Sequence, residues 1–201
     1  MDDIRALDVE RIRDRLGRRA ALRIDDAGDP FAAVAMILAG GPHDPVMLFI
    51  ERAKRIGDPW SGHMAFPGGR VELDDADSRR TAERETFEEV GIDLSSAELI
   101  GRLDDQAGRR AGTSWQGRPI AGYVYHLGEP VAVVASPEVE EALWVRSSAL
   151  FEPKNQVDYN VSYAPGSFPG ILVGKPERHI IWGLTYRFLE SFMRALGEKF
   201  P

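Results

Sequence analysis

Arg84, Glu85, Glu88 and Glu89 lie in the last turns of a helix-compatible run that follows the glycine pair Gly68 and Gly69. Positions i, i+3 and i+4 share one face of a helix, so Glu85, Glu88 and Glu89 are expected to point the same way. As a bare surface, such like charges weaken a helix by roughly a few tenths of a kcal/mol per pair. A hard divalent cation held by oxygen ligands turns that repulsion into binding. Magnesium on a short carboxylate cluster points in turn to a phosphate substrate. Charged clusters on helices are ordinarily solvated faces. Here a strand-like segment over 63–67, the glycine pair, a helix and a terminating Gly91 come in order, and that order singles the cluster out.

Several elements must position these acids. The acid-bearing helix is expected over Ser78–Val90, with Ser78 or Asp77 as N-cap and with Ala82 and Phe87 facing the core. Residues 8–20 read as an amphipathic helix on Val9, Ile12 and Leu16, capped by Asp8. A linker follows over 25–30. Strands are expected over 31–38 and Val46–Arg52, paired as a hairpin, and over 97–103, 120–127 and 131–134, while 136–145 reads as a turn followed by a strand. A short helix falls at Ser147–Phe151. Strands at 157–163 and 171–173 are divided by a Gly/Pro-rich segment. A closing helix spans 177–196, with Ile181, Leu184, Phe188, Phe192 and Ala195 as its apolar stripe. The polar segment 105–119 carries Arg109, Arg110, Trp115 and Arg118 and has the length of a functional loop. Strands in the middle punctuated by helices give an α/β (α+β) sandwich.

The run 66–92 resembles the Nudix box, Gly-x5-Glu-x7-Arg-Glu-U-x-Glu-Glu-x-Gly-U, with U aliphatic or aromatic. Gly69 matches its first glycine, and Arg84, Glu85, Thr86, Glu88, Glu89, Gly91 and Ile92 match its second half, Thr86 in an aliphatic position. The upstream acid falls at Asp75, separated from Arg84 by eight residues rather than seven. That spacing, the pair Asp75 and Asp77, the lead-in SGHMAFPGG and the run IWGLT are similar to the coenzyme A pyrophosphatase branch. His63 stands where that branch has glutamine, and IGDPW replaces its Leu-Arg-x-His approach. The resemblance covers roughly 31–196. It implies a helical extension at 1–24 and a Nudix domain at 25–201, an α/β/α sandwich with a mixed sheet and a loop-helix-loop box.

It also implies hydrolysis of a diphosphate linkage with Mg²⁺ or Mn²⁺. Glu88 and Glu89 map onto the core metal ligands, Glu85 onto a ligand or base, and Gly69 can add its carbonyl. Arg84 orients the glutamates through ion pairs. The base stays open between a box glutamate and a loop acid such as Glu138, Glu140 or Glu141, where a solvated turn is the plainer reading. Arg52, Lys54 and Arg55 form a basic cluster, from which Arg52 and Arg55 are candidates for substrate phosphate. Trp60, Trp115 or Tyr123 can stack on a base or simply pack. His63 reads as a loop or core residue. Coenzyme A or an acyl derivative is the leading substrate. ADP-ribose, nucleotide sugars and damaged nucleotides are alternatives, as is a noncatalytic ligand-binding module.

The whole chain bounds these readings. Its 201 residues suit one domain with terminal elaborations. The net charge of −7 argues against nonspecific nucleic-acid or anionic-membrane binding. A phosphate substrate must then be held by local cations. With no cysteine, thiolate metal sites and cysteine nucleophiles are excluded. The charged N-terminal stretch reads as no signal peptide, and no apolar run reaches the ~18 residues of a membrane span. A cytoplasmic protein acting on a small nucleotide is expected, with a homodimer left open.

Overall fold

The computed structural model describes residues 6–24, 30–58, 60–108, 117–161 and 166–200. Strand β1 (Ala32–Ala39) carries no polar residue on either face and is almost wholly buried, as a central strand must be. It pairs antiparallel with β2 (Val46–Arg52) and with β4 (Gly68–Arg70), and parallel with β6 (Pro119–Leu127). The two-residue β3 (Met64–Ala65) and β7 (Val139–Arg146) flank β2, while β5 (Glu98–Ala107) flanks β6. The resulting seven-stranded sheet is mixed.

Residue alternation sends one side chain to each layer. Ala33, Ala35, Ile37, Leu48, Ile50 and Ala121 pack toward helix α2 (Ser78–Val90). Met36, Leu38, Met47, Phe49 and Val124 pack toward α1 (Val9–Gly17) and α3 (Gly183–Ala195). The sheet is thus covered on both faces, the expected α/β/α sandwich. Helix α1 begins at the expected N-cap, Asp8, buries Ile12 and Leu16, and forks Arg13 onto Glu98 of β5 at 2.8 and 3.0 Å. A smaller antiparallel sheet of β8 (Gln156–Asn160), β9 (Ser167–Leu172) and β10 (Ile180–Trp182) lies beside α3.

Four expectations need correction. Residues 131–134 form no strand. Val131 and Val134 are exposed, and Val134 bonds through its N–H to the carbonyl of Val90. The segment 164–170 does not wholly divide two strands, because β9 begins at Ser167 and runs through Pro169, which pairs with Asp158. The closing helix starts at Gly183 rather than 177. Ile180 and Ile181 pair with Leu172 and Ile171, Trp182 is extended, and Gly183 takes φ +60°, a turn that suits glycine. Finally, Phe87 is 60% exposed. The buried stripe of α2 is Ala82, Thr86, Glu89 and Val90, so Phe87 falls about a quarter-turn off it. Thr86 fits that stripe because its hydroxyl donates to the Ala82 carbonyl at 2.7 Å. Phe87→Lys is therefore expected to change stability by less than about 0.5 kcal/mol in a urea melt. The expected linker at 25–30 and Arg109, Arg110 and Trp115 lie largely or wholly outside the described residues.

Candidate active site

The site is built where β4 meets α2. At Gly68, φ is +153° and an added Cβ would lie 2.3 Å from the Ala33 carbonyl, so this backbone admits no side chain. That close approach lets the Gly68 N–H donate to Glu89 Oε2 at 2.9 Å. At Gly69 an added Cβ would fall 2.1 Å from Glu85 Oε1, so the Glu85 carboxylate lies directly against the loop backbone. The helix is fixed at both ends. Asp77 caps its N-terminus by accepting from Arg80 N, and Gly91, at φ +70°, closes its C-terminus.

Arg84 ties the loop to the helix. Its Nε and Nη2 fork onto Asp75 at 3.0 Å each, its Nη2 reaches the Arg70 carbonyl at 3.1 Å, and its Nη1 meets Glu88 at 3.0 Å and Glu85 at 3.2 Å. Asp75 also accepts from Thr81 Oγ1 and Glu72 N. The Arg84 fork, with these bonds, holds the Asp75 carboxyl down at about 2.

The three box glutamates do not share one environment. Glu89 is 3% exposed and Glu85 is mostly buried, whereas Glu88 is 54% exposed and turned to Arg84 on the rim. Burial pushes the Glu89 carboxyl up to about 7, against the pull of the Gly68 N–H and Arg52; Glu85 and Glu138 push the same way as burial. Burial raises Glu85 as well, opposed by Arg84 and reinforced by Glu88 and Glu138. Glu138, which the sequence reading favoured as a solvated turn, therefore faces the cleft electrostatically. Its carbonyl accepts from Ala53 N at 2.8 Å, and Ser136 N donates to the Glu89 carbonyl at 2.9 Å, so the β7 approach is pinned beside α2.

Arg52 projects into the same cleft. Its Nη1 is 3.7 Å from Glu89 Oε1 and its Nη2 3.3 Å from Asp58 Oδ2, while its buried Nε has no hydrogen-bond partner among the described residues. Arg55 pairs with Glu138 at 3.0 Å. Trp60 sits in the turn between, its N–H bonded to Asp58 Oδ1 at 3.0 Å. Lys54 is exposed. Tyr123 is no stacking surface: it is buried beneath α2 and bonded to Ser78 Oγ at 2.8 Å.

A second acidic cluster lies on the opposite face of β2. Among the described residues, Glu51, Glu141 and His179 form the one group of three or more potential ligands whose atoms gather within 4.8 Å. A bulge in β7 between Val139 and Glu141 puts Glu141 opposite Glu51 and Val139 opposite Arg52. The chain supplies cations to both carboxylates of this cluster, while the buried His179 Nε2 makes no hydrogen bond among the described residues. Arg178 forks onto Glu51 at 3.2 and 2.5 Å, and Lys175 Nζ meets Glu141 at 2.7 Å. Lys175 N–H donates to His179 Nδ1 at 3.0 Å, so the ring proton sits on Nε2, 3.3 Å from both carboxylates. That nitrogen has no lone pair to offer a metal in this arrangement.

The cleft beside Gly69 is different. Its ligand atoms are all oxygens, two carboxyls in it are held above their usual range, and the loop backbone lies against them. Such a set fits a hard divalent cation. A covered mixed sheet, a glycine loop and an acid-bearing helix thus meet at one cleft. The NUDIX domain model matches residues 29–164, and the chain belongs to that family of pyrophosphohydrolases. The mouse mitochondrial coenzyme A diphosphatase NUDT8 is 29% identical over 99% of this chain and 92% of its own. The fission yeast protein C14C4.10c, uncharacterized, is 39% identical over 56% of this chain, which spans only about a third of that protein (35%). A crystal structure of a MutT/nudix family protein from Enterococcus faecalis shares the fold, with a TM-score of 0.54 at 17% identity, over 84% of this chain and 62% of that one. Among the described residues no helix is long and apolar enough to cross a membrane.

Proposed function

We propose that this Nudix hydrolase cleaves coenzyme A or its acyl derivatives into adenosine 3′,5′-bisphosphate and a 4′-phosphopantetheine product, using Mg²⁺ or Mn²⁺. The observation that carries this reading is the likeness to a coenzyme A diphosphatase along nearly the whole chain, lead-in and closing helix included. Glu89, Glu85, Glu88 and the Gly69 carbonyl would hold the cation. When bound, the cation neutralises nonbridging diphosphate oxygens and polarises water. The chain's own groups do the rest. Arg84 holds Glu85 and Glu88 in place. Removal of the proton from the attacking water falls to Glu85 or Glu138, the two acids whose charge the buried Glu89 feels. Arg52 offers its guanidinium to a phosphate oxygen, and Arg55 and Trp60 border the entry. A cytoplasmic location completes the reading, to be checked by fractionation, and sedimentation decides between monomer and homodimer.

The test is a comparison of kcat/KM with Mg²⁺ for coenzyme A, ADP-ribose, a nucleotide sugar and a damaged deoxynucleoside triphosphate. Coenzyme A is expected to lead. A value more than about tenfold below another member, ~1.4 kcal/mol of transition-state binding, overturns the substrate assignment. Absence of turnover on every member would make the chain a binding module instead.

A further inference from the structure

The small sheet carries a surface that the hydrolytic cleft does not use. Its register pairs Tyr159 with Phe168, Val157 with Gly170, and Gly170 with Trp182. Directly opposed residues, and residues two apart on one strand, share a face. Val157, Tyr159, Phe168, Gly170 and Trp182 therefore line one side of β8–β9–β10. The other side sends Ile171 and Ile181 fully into the core. An antiparallel sheet packed on one side ordinarily turns polar residues outward. This one turns out three aromatic rings, each only partly buried.

These rings gather around Trp182, with Tyr159 at 5.1 Å and Phe168 at 5.7 Å between centroids, tilted by 48° and 51°. His63 closes the group edge-on, 4.9 Å from Trp182. His63 is also the link to the cleft. Its carbonyl accepts from Arg52 N at 3.1 Å, and the Arg52 guanidinium reaches to 3.7 Å from Glu89. The aromatic patch thus begins directly across from the arginine that borders the acidic site. Partly exposed aromatic groups beside a charged cleft suit a ligand with a planar ring joined to an anionic chain.

We propose that this face of β8–β9–β10, with His63, binds the nucleobase of the substrate, while Arg52 and the acidic cleft take its phosphates. The inference rests on the nucleotide reading above and adds where the base sits. Stacking on such rings tolerates different bases, since every base has a π face.

The test uses the full chain without metal, titrated calorimetrically with AMP and with ribose 5-phosphate. The unmodified protein is expected to bind AMP more tightly than ribose 5-phosphate. Tyr159→Ala with Phe168→Ala is expected to weaken AMP by about tenfold or more, the scale of a lost aromatic stacking partner, and to leave ribose 5-phosphate unchanged. A circular-dichroism melt checks folding. Should the double variant not fold, Tyr159→Ala alone serves, with a loss of AMP affinity and unchanged ribose 5-phosphate expected. Equal binding of AMP and ribose 5-phosphate, or unchanged AMP affinity in the folded variant, overturns the proposal. So does a variant that turns a dimer into a monomer without moving AMP affinity, which would make the face a contact between copies. Coenzyme A turnover with no base effect refutes this inference alone. A base effect without coenzyme A turnover refutes the substrate assignment alone.

Discussion

Glu89→Gln is expected to lower kcat by roughly a hundredfold or more, the scale of removing one strong electrostatic element from a catalytic site, and to leave the fold intact. The amide oxygen can still accept from Gly68 N, so the loop stays docked on the helix. What is lost is the charge at the most buried carboxyl of the cleft. The same group gives a signature independent of catalysis. Its carboxyl is raised from 4.5 to about 7 by burial. Between those values the folded chain keeps a proton that the unfolded chain has released. Stability from this source is therefore complete below about pH 4.5 and is lost as pH rises through about 7. At about 1.4 kcal/mol per tenfold change in proton affinity, ionised Glu89 costs the metal-free fold up to roughly 3 kcal/mol. In EDTA, melting temperature should fall between pH 5 and 8 for the natural chain and fall less for Glu89→Gln. Near-normal turnover in the variant, full activity in EDTA, or identical melting profiles would remove Glu89 from the role assigned to it.

Arg84→Ala is expected to cost both stability and rate. Truncation strips the fork from Asp75, whose carboxylate is 6% exposed, and releases Glu85, Glu88 and the Arg70 carbonyl together. Breaking one side of a buried pair ordinarily costs about 3–5 kcal/mol. Arg84 itself retains some solvent contact, so about 2–3 kcal/mol is the expected loss in a denaturant titration. Arg84→Lys should recover little, because a lysine cannot fork onto Asp75 while also meeting Glu88. An unchanged denaturation midpoint with abolished catalysis would show Arg84 acting on the substrate directly.

The sequence made the box helix legible to the residue because its ends carry unambiguous chemistry, a capping Asp77 and a left-handed Gly91. Val46–Arg52 was equally plain, an apolar run bounded by a Pro and a basic cluster. Strand β10 was not, because Ile181 fits both a helical stripe and a strand, and only Gly183 at positive φ separates them. At Phe87 apolar character does not bring burial; the slot facing the sheet is instead filled by Glu89, whose burial no pattern of residue types reveals. The divergence of Glu88 from Glu85 and Glu89 was hidden for a related reason. Spacing put all three on one face, but Arg84 draws Glu88 to the rim. Glu138 reaches the cleft through a long-range pairing of β7 with β2, which local sequence does not encode. The aromatic face of the small sheet needed three strands in register before Tyr159, Phe168 and Trp182 could be seen as neighbours.

The attachment of Asp75 to Arg84 has a consequence for how this loop can change over time. The bond is made by side chains across nine positions, and the helix is anchored separately by Asp77. Residues between the glycine pair and the helix therefore set the path of the chain but not the placement of the acids. The one-residue difference lies between Asp75 and Arg84, where the turn leading to the Asp77 cap takes it up without moving either end of the tether. Length changes are thus absorbed between Asp75 and the cap, while the six positions from Arg84 to Glu89 admit none. A lineage can remodel the outer lip of its site residue by residue without ever passing through a form that has lost the site itself.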